Sequence, residues 1–298
     1  MRRKCSIGWK RLCIVLAAVA LLNCGRPKKP IVIGSKDTTA QVVLGELVAQ
    51  HLDHRLGRTV VRNLSLGNTA LVYQALLNGE IGIYPEDTGT IQAAILKESP
   101  SLDAPTTLER VRNEMRRLAQ TEVLDPLGID NSWAIVVKKD EAERNKTETL
   151  TDAAGVTTGW KLGVTADFNQ RSDGLSALNK YRLPMGAPTF VGDAASLYDA
   201  FQGGKLNMVA GNLSDGWLAR HENWKTLRDD KKAFGFYQTC LMARQDLLAD
   251  DPKIQPALAE LSGRITNVDL RKLNAQVAVD RKKPADVVAE FLTQAGLK

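Results

Sequence analysis

IVIGSKDTTAQVVLGELVAQHLDHRLGRTVVRNLSLGNTALVYQALLNGEIGIYPEDTGT, residues 31–90, alternates between two hydrophobic periods. Ile31-Val32-Ile33-Gly34 is a short apolar run ended by glycine, the mark of a buried strand. A polar turn, Ser35 to Thr38, leads into a pattern that puts Val43, Leu47, Leu52 and Leu56 on one helical face. Val60 to Leu66 reads as a second strand, Thr69 to Leu77 as a second helix closed by Asn78-Gly79, and Ile81 to Tyr84 as a third strand. Strands joined through helices pair in parallel, which predicts a mostly parallel, doubly wound α/β sheet.

Towards the C-terminus the alternation repeats. Strands are predicted at Trp133 to Val137, Lys161 to Val164, Thr189 to Val191 and Asn207 to Ala210, and helices at Leu175 to Tyr181 and Ala194 to Gly203. A final helical stretch runs from Pro252 to Gly296, broken at Gly263 and near Pro284. Two doubly wound α/β lobes follow, with a ligand cleft between them. The expected boundaries are 31–132 plus 238–298 for one lobe and 133–237 for the other. No repeat or Ser/Gly linker separates them, so the chain is expected to cross between lobes along strands. Ligands bind such sheets beyond the carboxyl ends of strands, here the loops at 35–37, 85–90, 167–174 and 211–216.

Towards the N-terminus, the basic start MRRKCSIGWKRL runs into CIVLAAVALL and stops at Asn23-Cys24, the layout of a secretory signal. The apolar core is about half of what a bilayer crossing needs. Leu21-Leu22-Asn23-Cys24 resembles a bacterial lipobox, with Cys24 the lipidated residue and 25–30 a tether; Asn23 stands where a small residue is usual, and an ordinary cleaved signal or an uncleaved anchor is the alternative. An exported protein, periplasmic or at the cell surface and held to the membrane by lipid, is expected. The leader also explains the charge: its five basic residues leave 35 basic against 34 acidic in the rest of the 298-residue chain, so the net +6 supports no nucleic-acid face. Hydrophobic residues at 44% and charged residues at 25% are ordinary for a folded soluble chain and exclude a disordered or polytopic one. Cys5 and Cys13 belong to the leader, which leaves Cys240 as an expected core thiol and no disulfide framework.

GSKDTTAQVVLGELVA, LVYQALLNGEIGIYPEDTGT, GIDNSWAIVVKKDEAE, KLGVTADFNQRSDGLSAL and LRDDKKAFGFY occur in the order seen in a known family. Over about 31–297 the chain resembles bacterial substrate-binding proteins for glycine betaine, choline, carnitine and related osmoprotectants, the extracytoplasmic receptors of ABC importers. The resemblance implies a type II periplasmic binding protein fold that closes on a small zwitterionic or cationic ligand and delivers it to a permease and its ATPase, as a monomer and without a cofactor or metal. It also implies a site. Lys36 in GSKD, Thr90 in DTGT and Arg171 in NQRSDG stand where the family holds a ligand carboxylate. On the cation side the family carries four tyrosines; here those positions are Asp87, Trp133, Asn212 and Tyr237. Two rings remain for cation–π attraction. Asp87 brings a negative charge and acceptors to which a trimethylammonium has no N–H to donate, so a cation bearing N–H uses this site better. A larger or more polar zwitterion, ergothioneine-like or amino-acid-like, is therefore the alternative ligand.

Other readings of these residues stay open on the sequence. Asp87 as helix N-cap, Arg171 paired only with Asp173 or Asp167, Phe236 in place of Tyr237 and Thr90 as a simple helix start are the alternatives. An enzyme has little support, because HExxH, G-x-S-x-G, P-loop and paired-Cys motifs are absent. His51 and His54 read as a solvated helix face. An exported ligand sensor is the remaining class.

Overall fold

The computed structural model describes residues 29–99 and 103–298, and the leader, including Cys24, lies outside the described residues. Residues Ile31–Lys298 form one compact unit built on two five-stranded sheets. The first contains β1 (Val32–Gly34), β2 (Val61–Asn63), β3 (Ile83–Asp87), β4 (Thr121–Val123) and β10 (Thr239–Arg244), in the order β2-β1-β3-β10-β4. The second contains β5 (Trp133–Lys138), β6 (Leu162–Val164), β7 (Thr189–Phe190), β8 (Met208–Asn212) and β9 (Trp224–Leu227), in the order β7-β6-β8-β5-β9.

Both sheets are mixed, where a mostly parallel one was expected. β1 pairs in parallel with β2 and β3, and β6 with β7 and β8, as the βαβ pattern requires. β10 runs antiparallel to β3 and β4, and β5 runs antiparallel to β8 and β9. The antiparallel pairs arise where the chain changes sheets. The outgoing stretch 129–131 and the returning 237–239 pair with each other, Thr239 N donating to Ile129 O and Asn131 N to Tyr237 O.

The helix Thr39–Leu56 shows how pattern becomes packing. Val43, Leu44, Leu47, Val48 and Leu52 are buried against Leu258, Leu270, Val288 and Leu292 of the C-terminal helices. Each such side chain stabilises the fold by about 1.5–3 kcal/mol on full burial. Gly57, at φ +61°, ends the helix in the left-handed conformation that glycine takes without steric cost. His51 departs from the expected solvated face: it is buried, with Nδ1 2.8 Å from Leu297 O and Nε2 2.8 Å from Ala257 O, tying this helix to the C-terminal segment, while His54 is exposed. Cys240 is buried, and burial pushes its thiol up to about 12. The strand expected over Val60 to Leu66 is confined to Val61–Asn63, and the rest continues as loop.

Candidate functional site

Strand register brings the site together. β1 and β3 are parallel, so Lys36 and Asp87 leave the sheet at the same edge, and β10 begins there with Thr239 opposite Asp87. In the second sheet Trp133, at the start of β5, lies opposite Asn212, at the end of β8. β6 ends at Val164, and the loop and short helix after it carry Asp167 and Arg171. A cavity of about 170 Å³ lies between the two edges, and all seven side chains singled out above, Lys36, Asp87, Thr90, Trp133, Arg171, Asn212 and Tyr237, line it. It adjoins a wider cleft of about 500 Å³ that shares Asp37, Trp133 and Asn212 and continues to Trp217 and Asn274.

Arg171 links residues from both groups of the expected site. Arg171 forms a two-point pair with Asp173, Nε to Oδ1 at 2.9 Å and Nη2 to Oδ2 at 2.7 Å, and also donates to Thr90 Oγ1 and Tyr237 Oη, each at 3.2 Å. Tyr237 in turn donates to Asp173. The guanidinium carbon lies 5.4 Å from the Trp133 ring centre and 5.7 Å from that of Tyr237. The two rings expected to face a ligand cation therefore already face Arg171. Burial works against the charge of this guanidinium, but the bonds and charge of Asp173 outweigh it and hold its pKa above the usual arginine value.

Lys36 is likewise engaged, 2.6 Å from the fully buried Glu86. Burial raises the pKa of Glu86, and Lys36 offsets that only in part. Asp87 does not act as an N-cap: its side chain makes no capping bond and accepts instead from Thr239 Oγ1 at 2.6 Å and Asn131 Nδ2 at 2.9 Å. Tyr237, and not Phe236, lines the cavity. Two cationic side chains, Lys36 and Arg171, are thus set against three anionic ones in the lining, Asp37, Asp87 and Asp167, with Glu86 and Asp173 directly behind. The balance favours a ligand that presents positive charge.

Among the lining residues not singled out from the sequence, Gln41 and Asn131 matter most for the chemistry. Gln41 is buried with neither amide atom hydrogen-bonded; an unsatisfied buried polar group costs about 1–3 kcal/mol until a partner is supplied. Its signal was a glutamine among the apolar residues of the Thr39–Leu56 core face. Asn131 lies two residues before Trp133, inside a stretch already recognised, but its own role shows only in three dimensions.

The described residues hold no cluster of three or more His, Cys, Asp or Glu suited to a metal, and no helix among them is long and apolar enough to cross a membrane. Residues 29–294 match the OpuAC family, described as the substrate binding domain of ABC-type glycine betaine transport systems. The chain is 30% identical over 306 residues to the glycine betaine-binding protein YehZ of Escherichia coli, covering 97% of each. It is 27% identical over 270 residues to the carnitine transport binding protein OpuCC of Listeria monocytogenes, covering 90% of this chain and 87% of the relative. A solved glycine betaine/carnitine/choline ABC transporter structure superposes with a TM-score of 0.80 at 26% identity, covering 90% of this chain and 99% of the other.

Proposed function

The chain belongs to the family of substrate-binding domains of ABC-type glycine betaine transport systems, and from that premise we propose how it recognises its ligand. It is the extracytoplasmic substrate-binding receptor of an ABC importer of the glycine betaine and carnitine class, and its fold is the two-lobed type II periplasmic binding protein. The reading adopted for the site is capture of a small zwitterion in the cavity lined by Lys36, Asp87, Thr90, Trp133, Arg171, Asn212 and Tyr237, followed by delivery to the permease. The observation that carries it is the convergence of these seven side chains, from separate stretches of sequence, on one cavity between the sheets. The lobes comprise 31–132 with 238–298 and 133–237, the protein is a monomer, and Cys24 carries the lipid that holds it at the membrane. Binding and release replace catalysis.

A second reading is favoured by a specific contrast. Glu86 and Asp173 are each paired with a basic side chain, whereas Asp87 accepts from two neutral donors. A ligand cation that bears N–H supplies the missing donor and charge together, which a quaternary ammonium does not. Calorimetric titration of the protein, refolded to strip carried-over ligand, against glycine betaine, choline, carnitine, N,N-dimethylglycine, histidine and arginine tests both. Micromolar or tighter binding of a quaternary compound supports the first reading and binding confined to N–H cations the second. Binding of none of them overturns the zwitterion site.

A further inference from the structure

Asn131 lies on the outgoing crossover, its N–H bonded to Tyr237 O of the returning one at 2.8 Å. Its side chain bridges three parts of the fold. Nδ2 donates to Asp87 Oδ2 at 2.9 Å, and Oδ1 accepts from Ser214 Oγ at 2.6 Å. Ser214 O accepts from Asn274 Nδ2 at 2.8 Å. Asp87, Ser214 and Asn274 are all at most 4% exposed, so this polar chain runs through the interior. A carboxylate can only accept, so the amide must turn its NH₂ to Asp87 and its carbonyl to Ser214. Thr239 Oγ1 occupies the other oxygen of Asp87, and among the described residues no Lys, Arg or His side chain pairs with that carboxylate.

We propose that Asn131 is a specificity-determining residue that fixes the Asp87 carboxylate so that its remaining lone pairs accept an N–H from the ligand's cation. The ligand class is then a zwitterion or cation with an incompletely methylated nitrogen: a tertiary or lower ammonium, a guanidinium or an imidazolium. The inference rests on the second reading above. The two parts of the attraction are separable. Coulomb attraction to Asp87 acts on any cation, whereas a charge-assisted hydrogen bond requires a donor and a correctly directed acceptor. Asn131 controls the second part only.

The test is titration of the full chain with N,N-dimethylglycine and glycine betaine, which differ by one methyl and one N–H. The wild type is expected to bind dimethylglycine at least about tenfold tighter, the order a hydrogen bond to a charged group supplies. Asn131→Ala frees the carboxylate to rotate and is expected to bring the ratio within about threefold by weakening dimethylglycine. Ser214→Ala, which leaves the amide in place but unanchored, is expected to move the ratio the same way by less. A loss of packing lowers both affinities together and leaves the ratio unchanged, so the ratio separates the proposed role from a structural one. A wild type that favours glycine betaine overturns the inference, as does a ratio unchanged in both variants. Binding of neither ligand overturns it together with the zwitterion reading.

Discussion

At the scale of single residues, the site is defined by which charges are already spoken for. Arg171 has an 11% exposed side chain and a fully buried partner in Asp173, and its truncation leaves that carboxylate without a counter-charge. Arg171→Ala is expected to weaken zwitterion binding by at least about 2 kcal/mol, roughly thirtyfold, the order measured when one member of a buried charge pair is removed. Stability should fall as well, by about 3–5 kcal/mol, because Asp173 remains buried. Titration and thermal denaturation on the same sample check both, and affinity within threefold of wild type excludes Arg171 from the site. Gln41 should behave in the opposite sense. Its buried amide has no hydrogen-bond partner in the protein, so Gln41→Leu is expected to raise the melting temperature without ligand by the equivalent of about 1 kcal/mol and to weaken binding at least about fivefold. A variant that binds normally assigns the glutamine to the fold. These two residues also show the limits of the sequence. Arg171 sits in NQRSDG and was legible from the motif, but its position over Trp133 and Tyr237 was not, because one ring starts β5 and the other lies on the returning crossover just before β10. Gln41 is not legible in the sequence, because nothing in a helical pattern tells a satisfied core amide from an unsatisfied one.

At the scale of elements, β3 and its neighbours carry the chemistry of the cavity wall. The first strand–helix–strand units were legible because their apolar period changes sharply between Val32 and Ile83. The antiparallel strands were not, since β5 and β10 have the same apolar character as parallel ones and direction is set by the two crossings. The end of β3 pairs two acids in sequence, Glu86 and Asp87, and the fold separates their roles: Glu86 turns to Lys36, Asp87 to the neutral donors. Burial raises Glu86 above its ordinary value of 4.5, so the folded chain holds this proton to higher pH than the unfolded chain. Stability from this group is therefore fully present below pH 4.5 and is lost as pH rises through the folded-state value. Glu86→Gln removes the titration. Melting temperatures measured from pH 4 to 7 should fall with pH more steeply in the wild type than in the variant, and identical slopes would rule out Glu86 as the titrating group.

At the scale of the molecule, the lobes meet in two separate places. One is the cavity, where Arg171 of the second lobe reaches Thr90 of the first. The other lies in the adjoining cleft, where the 3₁₀ turn Gly216–Ala219 packs on the helix Asn267–Ala278 so tightly that a Cβ on Gly216 would lie 2.4 Å from Ala275 N, and where Asn274 bonds Ser214 O. Ligand selects the closed arrangement because both lobes then contribute contacts to it, and apparent affinity scales with the fraction of molecules able to close. The second contact lies outside the smaller cavity, since Asn274 and Ser214 are absent from its walls, and under the proposed capture mechanism it stabilises closure. Asn274→Ala should therefore weaken every zwitterion that binds by the same factor, about fivefold for one hydrogen bond, and leave the order of preference untouched. X-ray scattering should show a larger radius of gyration for the ligand-free variant than for the ligand-free wild type, and the same radius for both at saturating ligand. Equal radii without ligand, with unchanged affinity, would mean that closure is governed at the cavity and the crossover strands, with the outer contact carried along. A change in the order of preference would place Asn274 in the recognition chain that runs through Ser214 and Asn131 to Asp87.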